Sequence, residues 1–249
     1  MALTDKLTAI ADAIRSKTGK TDSLTLDQMV TEIDSISAGG SGGSGGDDLK
    51  GLIERTATTI NVPSGTTKIG NYAFYECDKL TNVTLPSGVT SIGDYAFYTC
   101  TNLALTSLPS GVTKIGEYAF YKCTNLALTS LPSGVTKIGN YAFYKCTNLA
   151  LTSLPSGLTQ INSYAFSECT NLALTSLPSG LTSVRGSAFY NCKGLTEIIF
   201  KGTPTSINSN AFSSCTNLKT INVPWAEGAV SGAPWGATNA TINYNYTGG

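Results

Sequence analysis

Seven cysteines are the residues in this sequence best placed to do chemistry: Cys77, Cys100, Cys123, Cys146, Cys169, Cys192 and Cys215, each 23 residues after the last. Thiols act as metal ligands, nucleophiles or disulfide partners. Metal-binding cysteines come in close pairs such as C-x-x-C, and this spacing contains none. A nucleophilic thiol needs a base beside it. The chain has no histidine, which removes Cys-His dyads, Ser-His-Asp triads and histidine-containing zinc sites together. An odd count is also a poor disulfide framework. The cysteines therefore read as reduced thiols, small core residues at a recurring inward position. Gly19-Lys20-Thr21 matches the end of a phosphate-binding loop, but Ile14 stands where that loop's leading glycine belongs, and a helix is expected before it rather than a strand. The sequons at Asn82, Asn239 and Asn245 carry no weight without a secretion signal. No carboxylate pair recurs in a pattern suited to acid–base work. No catalytic residue, cofactor site or metal site is expected.

The tyrosines are the other recurring functional side chains. Tyr72, Tyr95, Tyr118, Tyr141 and Tyr164 form one series, and Tyr75, Tyr98, Tyr121, Tyr144 and Tyr190 a second, together ten of the twelve tyrosines. Tyrosine combines rigid apolar area with a polar tip, as recognition surfaces and sugar-stacking sites require. The series is either a repeated aromatic binding strip or a set of rings stacked between coils to shield the core. The opposite face offers mainly Thr and Ser with few charges, which suits a flat, low-affinity or multivalent contact.

Such regular spacing requires stacked units. Phe74, Phe97, Phe120, Phe143, Phe166, Phe189 and Phe212 keep the same 23-residue step, each after an alanine, from Ala73 to Ala211. In the clearest unit, Leu105 to Ala127, the residues Ala119, Phe120, Cys123 and Leu126 fall on one face of an expected short helix. Leu108-Pro109-Ser110-Gly111 ends an extended segment, since proline removes a ladder donor and glycine permits the turn. Each unit thus reads strand, turn, short helix, loop. Stacking gives a continuous core and a parallel sheet on one face, roughly 34 Å long at ~4.8 Å per strand for seven units.

The recurring I-G-x-x-A-F-x-x-C closely resembles the BspA-like leucine-rich repeats of bacterial and phage surface proteins. Ile69-Gly70, Ala73-Phe74 and Cys77 carry it in the first unit, and Ile115-Gly116, Ala119-Phe120 and Cys123 in the third. The likeness covers about two thirds of the chain and implies an α/β leucine-rich-repeat solenoid of seven units over 47–224. Two departures stand out. Val83 and Leu85 alternate as a half-buried strand should, but later units put Thr106 where Val83 stood and throw Leu105, Leu128, Leu151 and Leu174 out of phase. Either a bulge re-aims these leucines inward, or they form an exposed stripe. The last unit replaces Pro-Ser with Lys201-Gly202 and the glycine with Asn208.

The ends differ in kind. Over 1–37, Leu3, Leu7, Ile10, Ala11 and Ile14 lie on one helical stripe that Gly19 stops. Thr25 with Gln28 caps a second helix whose apolar face carries Leu26, Met29, Val30, Ile33 and Ile36. Two helices this short rarely hold a core alone, so the stripes are expected to join other copies, with Leu3, Leu7, Ile10, Ile14, Leu26, Met29 and Ile33 as the oligomerisation set. Residues 38–46 (AGGSGGSGG) form a flexible linker. The helical pair and linker resemble the leader module of phage and prophage tail-fibre and baseplate-associated proteins. Residues 225–249 break the period and are expected to cap the solenoid, with Trp225 and Trp235 as a lid and Ile242, Tyr244 and Tyr246 in a final strand.

Sixteen basic and sixteen acidic residues give a formal net charge of zero, so neither nucleic acid nor an anionic membrane is an expected partner. No apolar run reaches the ~20 residues of a membrane span, and the N-terminus lacks a signal-peptide layout, so synthesis and folding in a cytoplasm are expected. The resemblance then implies a non-enzymatic structural and adhesive part of a phage or prophage particle. It would be homo-oligomeric through its helices and would bind a bacterial cell-surface glycan or protein. The alternative is a cellular protein, either a leucine-rich-repeat adhesin at the cell surface or an intracellular protein–protein scaffold.

Overall fold

The computed structural model describes residues 57–248. The expected N-terminal helices, the linker and all seven residues of the oligomerisation set lie outside that range.

The coils carry short strands in two ranks, one before and one after the turn, and the rank before the turn has no strand in the third to fifth coils. The rank before the turn contains β1 (Thr59–Asn61), β3 (Asn82–Thr84), β8 (Ser176–Leu177), β10 (Glu197–Phe200), β12 (Thr220–Asn222) and β13 (Thr241–Asn243). The rank after it contains β2 (Lys68–Ile69), β4 (Ser91–Ile92), β5 (Lys114–Ile115), β6 (Lys137–Ile138), β7 (Gln160–Ile161), β9 (Ser183–Val184) and β11 (Ser206–Ile207). Every pairing is parallel. The fold is a parallel β-solenoid with two strand ranks where one sheet was expected. Within each rank the residues alternate, as Lys114 faces water and Ile115 the core.

The expected short helix is absent from every described coil. Tyr72 and Glu76 have φ of 59° and 57°, and the equivalent pairs repeat this as far as Ser187 and Asn191, so two left-handed residues bracket the Ala-Phe segment; the last coil keeps only Ser214. Three-residue turns link the run, with Tyr75 N–H donating to Tyr72 O at 3.1 Å and Cys77 N–H to Phe74 O at 3.3 Å. The intervening amides leave the coil altogether. Tyr72, Phe74 and Glu76 N–H donate to Asp94, Ala96 and Tyr98 carbonyls of the next coil at 2.9, 2.7 and 2.8 Å. Left-handed conformation costs a non-glycine residue about 1–2 kcal/mol, and these coil-to-coil bonds offset it. The inward spacing of Ala, Phe and Cys is the same in this double turn as in one helical turn.

The core is a stack of like residues. Neighbouring Phe rings from Phe74 to Phe212 lie 4.9, 5.1, 5.4, 5.4, 5.7 and 5.2 Å apart with nearly parallel planes, and all are buried. Leu105, Leu128, Leu151 and Leu174 are buried too, while Thr106, Thr129, Thr152 and Thr175 are exposed. The out-of-phase leucines therefore turn inward, and no strand forms over 103–108, 126–131 or 149–154. The cost is a broken ladder: one backbone bond per coil persists, such as Ala127 N–H to Leu105 O at 3.0 Å.

Glycines set how closely the coils approach. A Cβ on Gly116 would sit 2.5 Å from Gly93 C and 2.6 Å from Asp94 N, and one on Gly139 would sit 2.5 Å from Glu117 N. Asn162 takes this position in the next coil, and the rank breaks there: β6 pairs only with β5, and β7 only with β9. Gly116→Ala is expected to destabilise by about 1–3 kcal/mol through overpacking. Gly134→Ala, whose nearest contact would be 3.7 Å away, should be neutral or stabilise by about 0.4–1 kcal/mol. Urea unfolding of the two variants measures the opposite signs.

After Pro224 the chain adds β13 against β12 at an offset of 21 residues in place of 23. Trp235, one period after Phe212, is fully buried against Trp225 and Phe200, and its indole N–H donates to Ser231 O at 2.8 Å. Among the described residues no helix is long and apolar enough to cross a membrane.

Candidate binding surface

All seven cysteines are buried and unbonded to one another. Their thiols have a fixed structural task. Cys100 Sγ–H donates to Phe74 O of the preceding coil at 2.9 Å, and Cys123, Cys146, Cys169, Cys192 and Cys215 do the same to Phe97, Phe120, Phe143, Phe166 and Phe189 at 2.9–3.0 Å. The same Phe carbonyl also accepts the i+3 Cys N–H, as with Phe97 O and Cys100 N at 3.1 Å. Burial raises these thiols far above the ordinary range, and that of Cys215 to about 11. A protonated, enclosed thiol is a poor nucleophile and a poor metal ligand. No group of three or more His, Cys, Asp or Glu among the described residues is placed to hold a metal.

The tyrosines form the two expected columns. In the first, Tyr72, Tyr95, Tyr118, Tyr141 and Tyr164 stack at 4.9, 4.8, 4.7 and 4.5 Å with planes within 7°. In the second, Tyr75, Tyr98, Tyr121 and Tyr144 stack at 4.9, 4.7 and 4.8 Å. Ser167 interrupts this column, so no ring contact joins Tyr190 to Tyr144. The two columns meet edge on, as Tyr118 and Tyr121 do at 5.5 Å and 50°. Ring faces inside the columns are therefore occupied by neighbouring rings, and edges and hydroxyls face outward. Burial first, then the neighbouring phenols, holds the Tyr98 and Tyr118 hydroxyls above their ordinary range. Tyr144 is raised by burial and then by its 2.7 Å hydrogen bond to Glu168, which Lys145 approaches at 3.5 Å.

Replacing Tyr118, Tyr121, Tyr141 and Tyr144 together by Ser removes five stacked and three tilted or edge-on ring contacts, worth about 0.5–1.5 kcal/mol each beyond area burial. If the columns shield the core, the variant is expected to lose its cooperative thermal transition. If they form a binding strip, it should stay folded and lose ligand. Circular dichroism on heating distinguishes the two.

The segments before the turn carry a different surface. Thr106-Ser107, Thr129-Ser130 and Thr152-Ser153 are exposed in successive coils, with no charged side chain among them. Where coil two meets coil three, the phase changes from Val83 inward to Leu105 inward. An open depression of about 390 Å3 lies there, between residues 82–87 and 104–109. The phase change is legible in the sequence, whereas the depression it borders is not.

The sequence matches the profile of the BspA type leucine-rich repeat region, in six copies over residues 54–173 and 136–228. No curated protein matches it. Among solved structures, a leucine-rich repeat protein of T. pallidum is 32% identical, with 66% of this chain and 78% of that one covered and a TM-score of 0.58. A leucine-rich repeat protein of Bacteroides ovatus shares the fold at 24% identity and a TM-score of 0.54, with 76% of this chain and 61% of that one covered. The chain thus spans about three fifths of the Bacteroides ovatus protein. With 23-residue coils, an Ala-Phe-x-x-Cys core and a profile match over most of its length, this chain belongs to the BspA-type leucine-rich-repeat family.

Proposed function

We propose that this chain is a non-enzymatic adhesive protein whose solenoid holds a bacterial cell-surface ligand, a glycan or a protein. One observation carries the reading: the recurring reactive side chains, the thiols, are enclosed in the core, while the exposed positions before the turn repeat as neutral Thr-Ser pairs and the tyrosine columns present ring edges. Such a surface makes many weak contacts, and presenting several copies together raises their combined strength through effective concentration. The stripes of Leu3, Leu7, Ile10, Ile14, Leu26, Met29 and Ile33 assemble the copies, residues 38–46 give reach, and residues 225–249 close the end of the core. Zero net charge gives no role to nucleic acid or membrane.

The amphipathic sequence pattern of 1–37 followed by a glycine-rich linker supports a place on a phage or prophage particle, as a tail-fibre or baseplate appendage. Family membership supports a bacterial surface adhesin equally well, and an intracellular scaffold uses the same surface.

Beads carrying the full chain, offered to a panel of bacterial surfaces, test the adhesive reading: retention on at least one is expected, and indifference to all contradicts it. Light scattering tests the assembly. The full chain should be oligomeric and an Ile10→Asp, Ile33→Asp variant monomeric, whereas a monomeric parent chain removes the oligomerisation role.

A further inference from the structure

In β3, Val83 turns inward while Asn82 and Thr84 face out. One coil later Leu105 turns inward and Thr106, in the register position of Val83, faces out. The β1–β3 ladder ends at this mismatch, and an open depression of about 390 Å3 lies between the two coils. Ligand pockets typically hold about 300–1,000 Å3, so the space admits one small ring and not a large cofactor.

Resting on the adhesive reading above, we propose that this cavity binds a neutral saccharide. One sugar residue sits between β3 and the third coil, and the chain continues along the Thr-Ser columns. Three properties of the lining select that class. No charged residue borders the cavity, so neither an anionic nor a cationic ligand finds a counter-charge. Asn82, Thr84, Thr106 and Ser107 bring an amide and three hydroxyls that both donate and accept, and none of these side chains has a hydrogen-bond partner among the described residues. Half-buried Leu85 supplies apolar area for the C–H face of a sugar ring. Beyond the cavity, Thr129-Ser130 and Thr152-Ser153 repeat the hydroxyl pair at the coil spacing of ~4.8 Å, a step on the scale of one pyranose residue. The tyrosine columns do not offer the same service, because stacking closes most of their ring faces.

Ala104 is exposed on the rim and its N–H already donates to Thr81 O at 2.9 Å, so a larger side chain there fills the cavity without costing that bond. The full chain is titrated calorimetrically with cellotetraose, mannotetraose and chitotetraose, and with sialyllactose and a heparin tetrasaccharide as charged counterparts. At least one neutral oligosaccharide is expected to bind. Ala104→Trp should weaken it by about tenfold or more, by occupying the depression. A Thr106→Val, Ser107→Ala double variant, which empties the cavity of donors without filling it, should weaken it by a similar factor. Thermal melts establish that both variants are folded. The proposal is overturned if no neutral oligosaccharide binds, if only the charged ones bind, or if Ala104→Trp binds as the parent does. Bead retention separates this failure from that of the wider reading. Beads bearing Ala104→Trp that adhere as well as parent beads overturn the cavity and leave adhesion standing, whereas parent beads that adhere nowhere overturn adhesion itself. Ala104→Trp-sensitive retention abolished by protease treatment of the cells would reassign the cavity to a peptide.

Discussion

Raising the pH from neutral to about 10 is expected to unfold the solenoid cooperatively, because the folded state must keep its thiols protonated. A free thiol ionises near about 8.5, while burial keeps Cys100, Cys123, Cys146, Cys169 and Cys192 protonated far above that value and Cys215 up to about 11. Below the unfolded value the contribution of these groups is fully present. As the pH rises past it, the unfolded chain releases protons that the folded one retains, and stability falls. At about pH 10 the loss is about 2 kcal/mol for each thiol. For six it is on the order of 12 kcal/mol, comparable to the ~5–15 kcal/mol that holds a typical domain together. Thiolate absorbance and loss of circular dichroism should therefore coincide on titration. Removing one group, as in Cys146→Ala, should lower the dependence of stability on pH by about one proton. Thiolates that appear while the spectrum stays native would contradict the enclosed ladder.

The second large effect concerns the rings beside those thiols. Phe143→Ala is expected to cost about 3–5 kcal/mol, since Phe143 is fully buried and stacks on Phe120 and Phe166 at 5.4 Å on each side. In a one-dimensional stack each unit touches only its neighbours, so this one change weakens two interfaces in the middle of the solenoid. Phe74, which stacks on Phe97 alone among the described residues, should cost less when replaced in the same way. Urea unfolding compares the two, and equal losses would argue against additive coil-to-coil interfaces.

These two columns were legible in the sequence because period and chemistry agree: a Phe and a Cys recurring every 23 residues, without histidine or paired cysteines, have only the core to occupy. The local path of the chain was less legible. Ala119, Phe120 and Cys123 keep a spacing that suits a helical turn as well as the double turn found, and the distinction lies in Tyr118 and Lys122 adopting φ of 53° and 57° so that their amides reach the next coil. Side-chain periodicity carries no record of that choice. Leu105 and its successors left two outcomes open because either phase of a strand satisfies alternation. Burial decided for the inward one, at the expense of the ladder. The fate of the tyrosines also depends on distance. Rings repeated every coil are a strip or a stack according to whether the coils approach within contact, and glycines such as Gly116 and Gly139 bring them that close.

The measurement that bears most directly on the adhesive role is a binding isotherm of the multivalent full chain on intact bacteria, taken at low and at high salt. An uncharged Thr-Ser face predicts saturable binding that changes little between the two, because there is little charge to screen. Binding that collapses as salt rises would place the contact on charged side chains instead, and no saturable binding at either salt would contradict the adhesive account itself.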